Sequence, residues 1–200
     1  MRASLQFIAI LLLGAQAVLA GNAIQFSASA EEFVGEGIVY HRLRFQDGDR
    51  GVSYRPPNGW KCALIDNRLR LTPNDKTFAE AQIDSAPLDQ PVVFDAAIAA
   101  SVAQQSLAAL PVGNQEAAMV KQDQNTLPLN NNPTLETIIS YKLMGETFQR
   151  GVIVAITPNN QITFKFSARK ADFDALYRAF RASIGTWEWQ PAAVKSAAAP

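Results

Sequence analysis

The amino-acid sequence predicts an α+β domain built on a mainly antiparallel sheet of about six strands flanked by helices. Period-two hydrophobicity clusters in two blocks, residues 39–86 and 135–167, and each block is followed by a single helical pattern. Strands and helices do not alternate regularly, as a parallel sheet built from crossovers would require. The last helical pattern, Asp172 to Ile184, carries an aromatic stripe that needs a sheet to lie on.

The elements follow in order. Residues 21–38 are small and polar, with Gly21, Gly35 and Gly37 and no sustained period, and read as a loose arm or short edge element. Val39, His41, Leu43 and Phe45 then face one way, and Tyr40, Arg42 and Arg44 the other, as on a half-buried strand. Asp47-Gly48-Asp49 marks a turn, and Val52 to Arg55 is a second extended piece stopped by Pro56-Pro57 and Asn58-Gly59. Cys62 to Ile65 and Arg68 to Leu71 flank Asp66-Asn67, two residues that tolerate positive φ, and so read as a tight hairpin. Thr77 to Ala86 predicts a further strand with Ala81 and Ile83 inward, ended by Pro87.

Val92 to Leu110 predicts a helix: it is alanine-rich, Pro91 suits its first turn, Phe94, Ile98 and Val102 recur at helical spacing, and Pro111 and Gly113 close it. Glu116 to Leu127 reads as a strand and Asn130-Asn131-Asn132-Pro133 as a polar loop. Leu135–Met144, Thr147–Ile156 and Gln161–Ser167 read as three strands, and Val152 to Ile156, apolar on both faces, belongs in the middle of a sheet. In the following helix Phe173, Leu176, Tyr177, Phe180 and Ile184 form the stripe and Gly185 closes it; Thr186 to Trp189 is a short extended cap, and 190–200 an Ala- and Pro-rich tail.

Residues 1–20 stand apart. Arg2 supplies a positive start, Phe7 to Leu13 an apolar run, and Val18-Leu19-Ala20 a cleavage site before Gly21, the pattern of a secretory signal peptide. The apolar stretch is shorter than the roughly 20 residues of a spanning helix, and Gln16 interrupts it. Cleavage leaves 180 residues of net charge −1, comprising an arm at 21–38, one domain at 39–189 and the tail. Export implies the periplasm or the medium, an oxidising setting, yet Cys62 is the only cysteine and no intramolecular disulfide can form. Its neighbours Ala63-Leu64-Ile65 predict a buried thiol.

Tyr54-Arg55-Pro56-Pro57-Asn58-Gly59-Trp60 resembles the extended P-x-G-W entrance of the PsbP/Mog-like (DcrB-like) superfamily. Phe164-Lys165-Phe166-Ser167, followed by Asp172-Phe173, Leu176, Phe180 and Ile184-Gly185, is similar to that group's closing strand and helix, and the likeness spans residues 39–189. It implies an α/β/α sandwich. Because the group includes photosystem II accessory proteins, Ran-binding proteins and bacterial envelope proteins, it also implies a non-enzymatic binding or accessory role with no shared catalytic set. The arm at 21–38 and the simple secretory signal depart from the chloroplast members, so a photosynthetic role is not implied.

Composition narrows the function. Lys+Arg 18 against Asp+Glu 18 excludes sequence-independent affinity for nucleic acid, and 48% hydrophobic residues exclude wholesale disorder. With one histidine, His41, one cysteine and no G-x-S-x-G, Walker A or EF-hand spacing, no catalytic motif, metal site or cofactor is implied. Among Asp66, Asp75, Asp84, Asp123 and Glu136 nothing singles out an acid–base pair. Net charge runs +1, −6 and +4 over residues 21–76, 77–136 and 137–200, and the acidic middle would attract a basic partner only if its charges shared a surface. Arg42, Arg44, Arg68 and Arg70 would form a basic stripe if their strands were neighbours, and one of Trp187 and Trp189, alternating in an extended segment, is expected to be an exposed anchor. The expected partner is an envelope or extracellular protein, with neither nucleic acid nor stable membrane insertion. The alternative is a small-molecule carrier or sensor, for which a sheltered apolar cavity near Phe94, Ile98 or Tyr177 would be the sign.

Overall fold

A computed structural model describes residues 24–35, 38–88 and 92–190. The signal sequence, Pro91 and the tail beyond Gln190 lie outside the described residues. The chain runs β1 (Gln25–Gly35), β2 (Ile38–Asp47), β3 (Arg50–Tyr54), β4 (Trp60–Ile65), β5 (Arg68–Pro73), β6 (Glu80–Pro87), α1 (Ala96–Ala108), β7 (Gln115–Gln124), β8 (Thr134–Leu143), β9 (Glu146–Ile156), β10 (Asn160–Arg169), α2 (Lys170–Ile184) and β11 (Glu188–Trp189). No described helix is long and apolar enough to cross a membrane.

The α+β class holds, but the strands form two sheets rather than one of about six. Seven strands pair in the order β4-β5-β6-β10-β9-β8-β7 and four in the order β1-β2-β3-β11, with every pairing antiparallel. Sequence order places β2 and β3 beside β4 and β5, but Pro56-Pro57 and the Asn58-Gly59 turn redirect the chain between them. Gly59, at φ +74, takes the left-handed conformation that lets the Trp60 N–H reach the Pro57 carbonyl at 3.2 Å. Trp60 then stacks on Phe180 of α2, ring centroids 6.4 Å apart.

Strand pleating decides what each face of the large sheet meets. Leu69, Leu71, Ala81, Ile83, Ile153, Ala155, Phe164 and Phe166 share the inner face, under Phe173, Tyr177, Phe180 and Ile184 of α2 and Leu43, Phe45, Val52 and Tyr54 of the small sheet. Trp187, 1% exposed, joins the sheets, its ring within 6.5 Å of those of Phe26, Phe45, Tyr54 and Phe164. On the outer face Val152, Val154 and Ile156 meet Val92, Phe94 and Val102, while Ile139, Tyr141 and Phe148 meet Leu107 and Leu110. The expectation for Val152–Ile156 is met because β9 is covered on both sides.

Three expectations need correction. The segment 21–38, read as a loose arm or short edge element, holds an edge strand as long as eleven residues, β1, paired along β2, and Ile24 and Phe26 enter the core. Its entry is fixed by Asn67 in the β4–β5 turn, which accepts the Phe26 N–H at 2.9 Å and donates to the Ile24 carbonyl at 3.3 Å. The first helix begins at Ala96, four residues late, because the Asp95 carboxylate accepts the Ile98 N–H at 2.8 Å and caps the helix there. The strand expected from Thr77 begins at Glu80; Phe78 lies before it at φ +67.

Gly151 on β9 is a steric requirement. A β-carbon there would lie 2.7 Å from the Tyr177 hydroxyl oxygen and closer still to the ring carbons, so α2 reaches the sheet only because this position has no side chain. Tyr177 is itself held by Phe166 and Phe173 at 6.0 and 4.8 Å between centroids. Gly151→Ala should therefore cost about 1–3 kcal/mol of stability, read as a lower urea midpoint at unchanged slope; an unchanged midpoint would mean the Tyr177 ring can yield.

Candidate functional site

The residues expected to bind a partner are dispersed. Arg42 and Arg44 stand on the outer face of the small sheet, Arg44 2.8 Å from Glu31, whereas Arg68 and Arg70 stand on the outer face of the large one. Leu43 and Phe45 point into the same core as Leu69 and Leu71, so the two arginine pairs face away from each other and the basic stripe does not form. Trp187 is buried and cannot be an anchor. Trp189 is half-buried, and its indole N–H donates to Asp47 Oδ2 at 2.7 Å beneath the Arg50 guanidinium.

Cys62 is exposed, contrary to expectation, because β4 is an edge strand whose side chains from Lys61 to Ile65 are open to solvent. His41 has the predicted phase but lies beyond the part of β2 that covers the core, exposed and 3.5 Å from Glu32.

Among the described residues, which leave out Asp89, the acids of the middle segment are dispersed and mostly paired. Glu80 pairs with Arg70, Asp84 with Lys165 at 3.0 Å, Glu116 with Lys142 at 2.7 Å and Asp123 with Lys121 at 2.6 Å, while Asp95 caps α1. Glu136, 2% exposed, accepts from the Tyr177 and Thr126 hydroxyls, both at 2.7 Å, with Arg181 Nε 3.2 Å away. Burial, and then the neighbouring Glu136 carboxylate, push the Tyr177 phenol well above its ordinary value. This network buries Glu136 and ties α2 to β8. Asp66 lies in the hairpin turn and Asp75 is exposed in the β5–β6 connection. Among the described residues no three His, Cys, Asp or Glu side chains converge to hold a metal.

What the fold does build is a groove on the outer face of the large sheet. α1 covers β7, β8 and part of β9, and beside it the outer faces of β5, β6 and β10 remain open. A cavity of about 580 Å³ there is floored by Arg70, Gln82, Arg150 and Lys165 and walled by Phe78, Tyr141 and Phe148. A second, of about 220 Å³, continues along α1 past Asp84, Val152 and Thr163, and the two share Ala109, Arg150 and Lys165. Arg150 donates from Nε to the Ser167 hydroxyl at 2.8 Å and from a terminal nitrogen to the Ala109 carbonyl at 2.7 Å, and lies over the Tyr141 ring at 5.9 Å. Register places Ser167 directly across from Arg150, so adjacent central strands set this geometry.

Sequence reasoning did not single out Arg150, Phe78 or Lys76. A signal for Arg150 was present, since a charge next to Gly151 and the apolar run Val152 to Ile156 of a central strand needs an uncovered face. For Phe78 there was none, because its significance lies in a backbone conformation.

No protein-family model matches this sequence, and no curated protein sequence does. Among solved structures, the solution structure of cyanobacterial PsbP (CyanoP) from Synechocystis sp. PCC 6803 matches 89% of this chain and 99% of its own, at 10% identity and a TM-score of 0.55. A crystal structure from Bacteroides thetaiotaomicron VPI-5482 matches 70% of this chain and 45% of its own, at 13% identity and a TM-score of 0.44. The chain has a PsbP-like fold, as the resemblance in its sequence implies.

Two predictions follow from these side chains. Tyr177→Phe removes one donor from a buried carboxylate and should cost about 1–3 kcal/mol in denaturant unfolding, and a wild-type midpoint would show that water replaces the hydroxyl. Although Cys62 is exposed, partial desolvation of its sulfur pushes the thiol up to about 11. Its alkylation should therefore be slow at neutral pH and accelerate as pH rises toward that value; a plateau at the pH where a free cysteine titrates would refute this.

Proposed function

We propose that this protein is an exported, non-enzymatic binding or accessory protein of the cell envelope that engages a protein partner through the groove beside α1. The observation that carries this reading is the form of the groove. It is broad, opens to solvent along the sheet, and mixes charged with aromatic side chains rather than enclosing an apolar ligand. The PsbP-like fold is compatible with such a role, and the signal-peptide pattern of residues 1–20 supports export.

The carrier alternative has less support. Phe94 packs on the outer face of β9 and Tyr177 packs into the core, so neither borders the two cavities of the groove, and Ile98 is not among their lining residues. The cavity between sheet and helix is present, but it is open to solvent and lined by charged as well as apolar side chains.

A photo-cross-linking side chain placed at Thr72, on the groove, and separately at Arg44, on the opposite outer face, tests this in the producing cell. A discrete protein adduct of the exported chain from Thr72 and not Arg44 is expected. Adducts only from Arg44 would move the interface to the small sheet, and a chain retained inside the cell would refute export.

A further inference from the structure

We propose that the groove receives an acidic, extended peptide segment of the partner, with a carboxylate seated on Arg150 and an adjacent apolar side chain laid against Phe78 and Phe148. This rests on the binding reading above and names the chemistry that would satisfy it.

Charge comes first. The two cavities are lined by four cations, Arg70, Lys76, Arg150 and Lys165, against two carboxylates, Glu80 and Asp84. Arg70 is paired with Glu80, Lys76 with Asp172 at 2.7 Å and Lys165 with Asp84 at 3.0 Å. Arg150 has no ion pair among the described residues: both oxygens it contacts, of Ser167 and Ala109, are neutral. Two of its five N–H donors are thereby fixed, which holds the planar guanidinium in place and leaves its charge uncancelled. A guanidinium so oriented suits a carboxylate, which it can take in a two-point contact.

Position comes second. Arg150 lines both cavities, so it stands where the two join into one trough rather than at the bottom of a closed pocket. An extended peptide in such a trough repeats side chains on one face every ~7 Å. It can thus place a carboxylate at Arg150 and an apolar group at the mouth, beside Phe78.

Phe78 supplies the apolar wall. It is 57% exposed, its ring meets Phe148 edge to face at 6.3 Å, and the Arg169 guanidinium lies 4.9 Å from its centroid. Its φ of +67 is a conformation that bulky L-residues rarely adopt, and it holds an aromatic ring out in solvent instead of in the core. An exposed aromatic fixed beside a cation is the usual form of an interface anchor. Glu80 and Asp84 weigh against a polyphosphate or an anionic membrane, whose charges are too dense to avoid them, whereas a peptide can pass neutral side chains over both.

The test uses the mature protein and a short fluorescein-labelled peptide repeating Glu-Ser-Leu-Ser, which when extended sets glutamate and leucine in turn along one face, read by fluorescence anisotropy. Binding is expected, and it should weaken about tenfold or more when the glutamates become glutamines, and fall with added salt. Arg150→Gln should weaken it about tenfold and Phe78→Ser several-fold, and Lys165→Gln, which removes a groove cation and leaves Asp84 unpaired, should also weaken it several-fold. Because Arg150 also fastens Ala109, its variant is accompanied by thermal melting; Lys165→Gln and the glutamine peptide test charge without touching α1. Equal binding of the glutamate and glutamine peptides, or no binding of either, overturns the proposal, as does uptake only by phosphatidylglycerol vesicles. If Thr72 still cross-links a partner in that event, the binding reading survives and only the peptide class is wrong. If the glutamate peptide binds with the expected dependence and Thr72 captures nothing, it is that reading that fails.

Discussion

Seven strands at the usual spacing of ~4.8 Å make a sheet about 29 Å across, and one helix is about 10 Å wide, so it covers two or three strands at most. The inner face of this sheet meets the difficulty with two kinds of element, α2 and the four-stranded sheet, joined around Trp187. Among the described residues the outer face has α1 and the segment just before it, which settle over β7, β8 and part of β9. Everything on the far side of β9 has to be compatible with water, which is why Arg70, Gln82 and Lys165 alternate with the inward Leu71, Ile83 and Phe166. The groove is the step between the helix and the uncovered half of the sheet.

Two buried carboxylates elsewhere in the molecule serve the fold instead. Glu136, on the inner face, is enclosed by α2 and is supplied with partners from Tyr177, Thr126 and Arg181, as a buried carboxylate must be. Its contacts all serve the attachment of α2, together with the space left by Gly151. Asp47, at the end of β2, is likewise filled by Asn160, Arg50 and Trp189 at 2.9, 3.0 and 2.7 Å, and fastens β11. In both places the carboxylate is buried and its hydrogen bonds are made within the chain.

The large sheet was legible in the sequence wherever one face is buried and the other wet. Leu69 and Leu71 against Arg68 and Arg70, and the stripe Phe173, Leu176, Tyr177, Phe180, Ile184, state their own orientation. The Asp66-Asn67 turn was equally plain, and both residues have the positive φ their types allow, 50° and 55°. β1 was not legible, because its residues show no sustained period in the sequence, although Ile24 and Phe26 enter the core. Nor was the division into two sheets, since alternation fixes the face of a strand and not its neighbour. The arginine stripe was misread for that reason: Arg42 and Arg70 have the predicted orientation on their own strands, in different sheets. The groove depends on how far α1 extends across the sheet, a tertiary quantity that no local pattern encodes.

Arg150 is the residue at which the requirements of the fold and of the groove can be separated. Holding the end of α1 needs only a donor to the Ala109 carbonyl, which a neutral side chain could supply, and covering Tyr141 needs only a flat or apolar group. A charged guanidinium in a central strand, half-withdrawn from water between a helix end and a sheet, pays a desolvation cost that neither task demands. The α1 C-terminus offsets part of it through the negative end of the helix dipole, but that partial charge falls short of a counter-ion. The other cations of the groove are matched by Glu80, Asp84 and Asp172, so the sequence supplies acids on this surface and withholds one from Arg150. A cation kept unmatched at the junction of two cavities is therefore explained by an anion that arrives from outside the chain, not by any need of the sheet on which it stands.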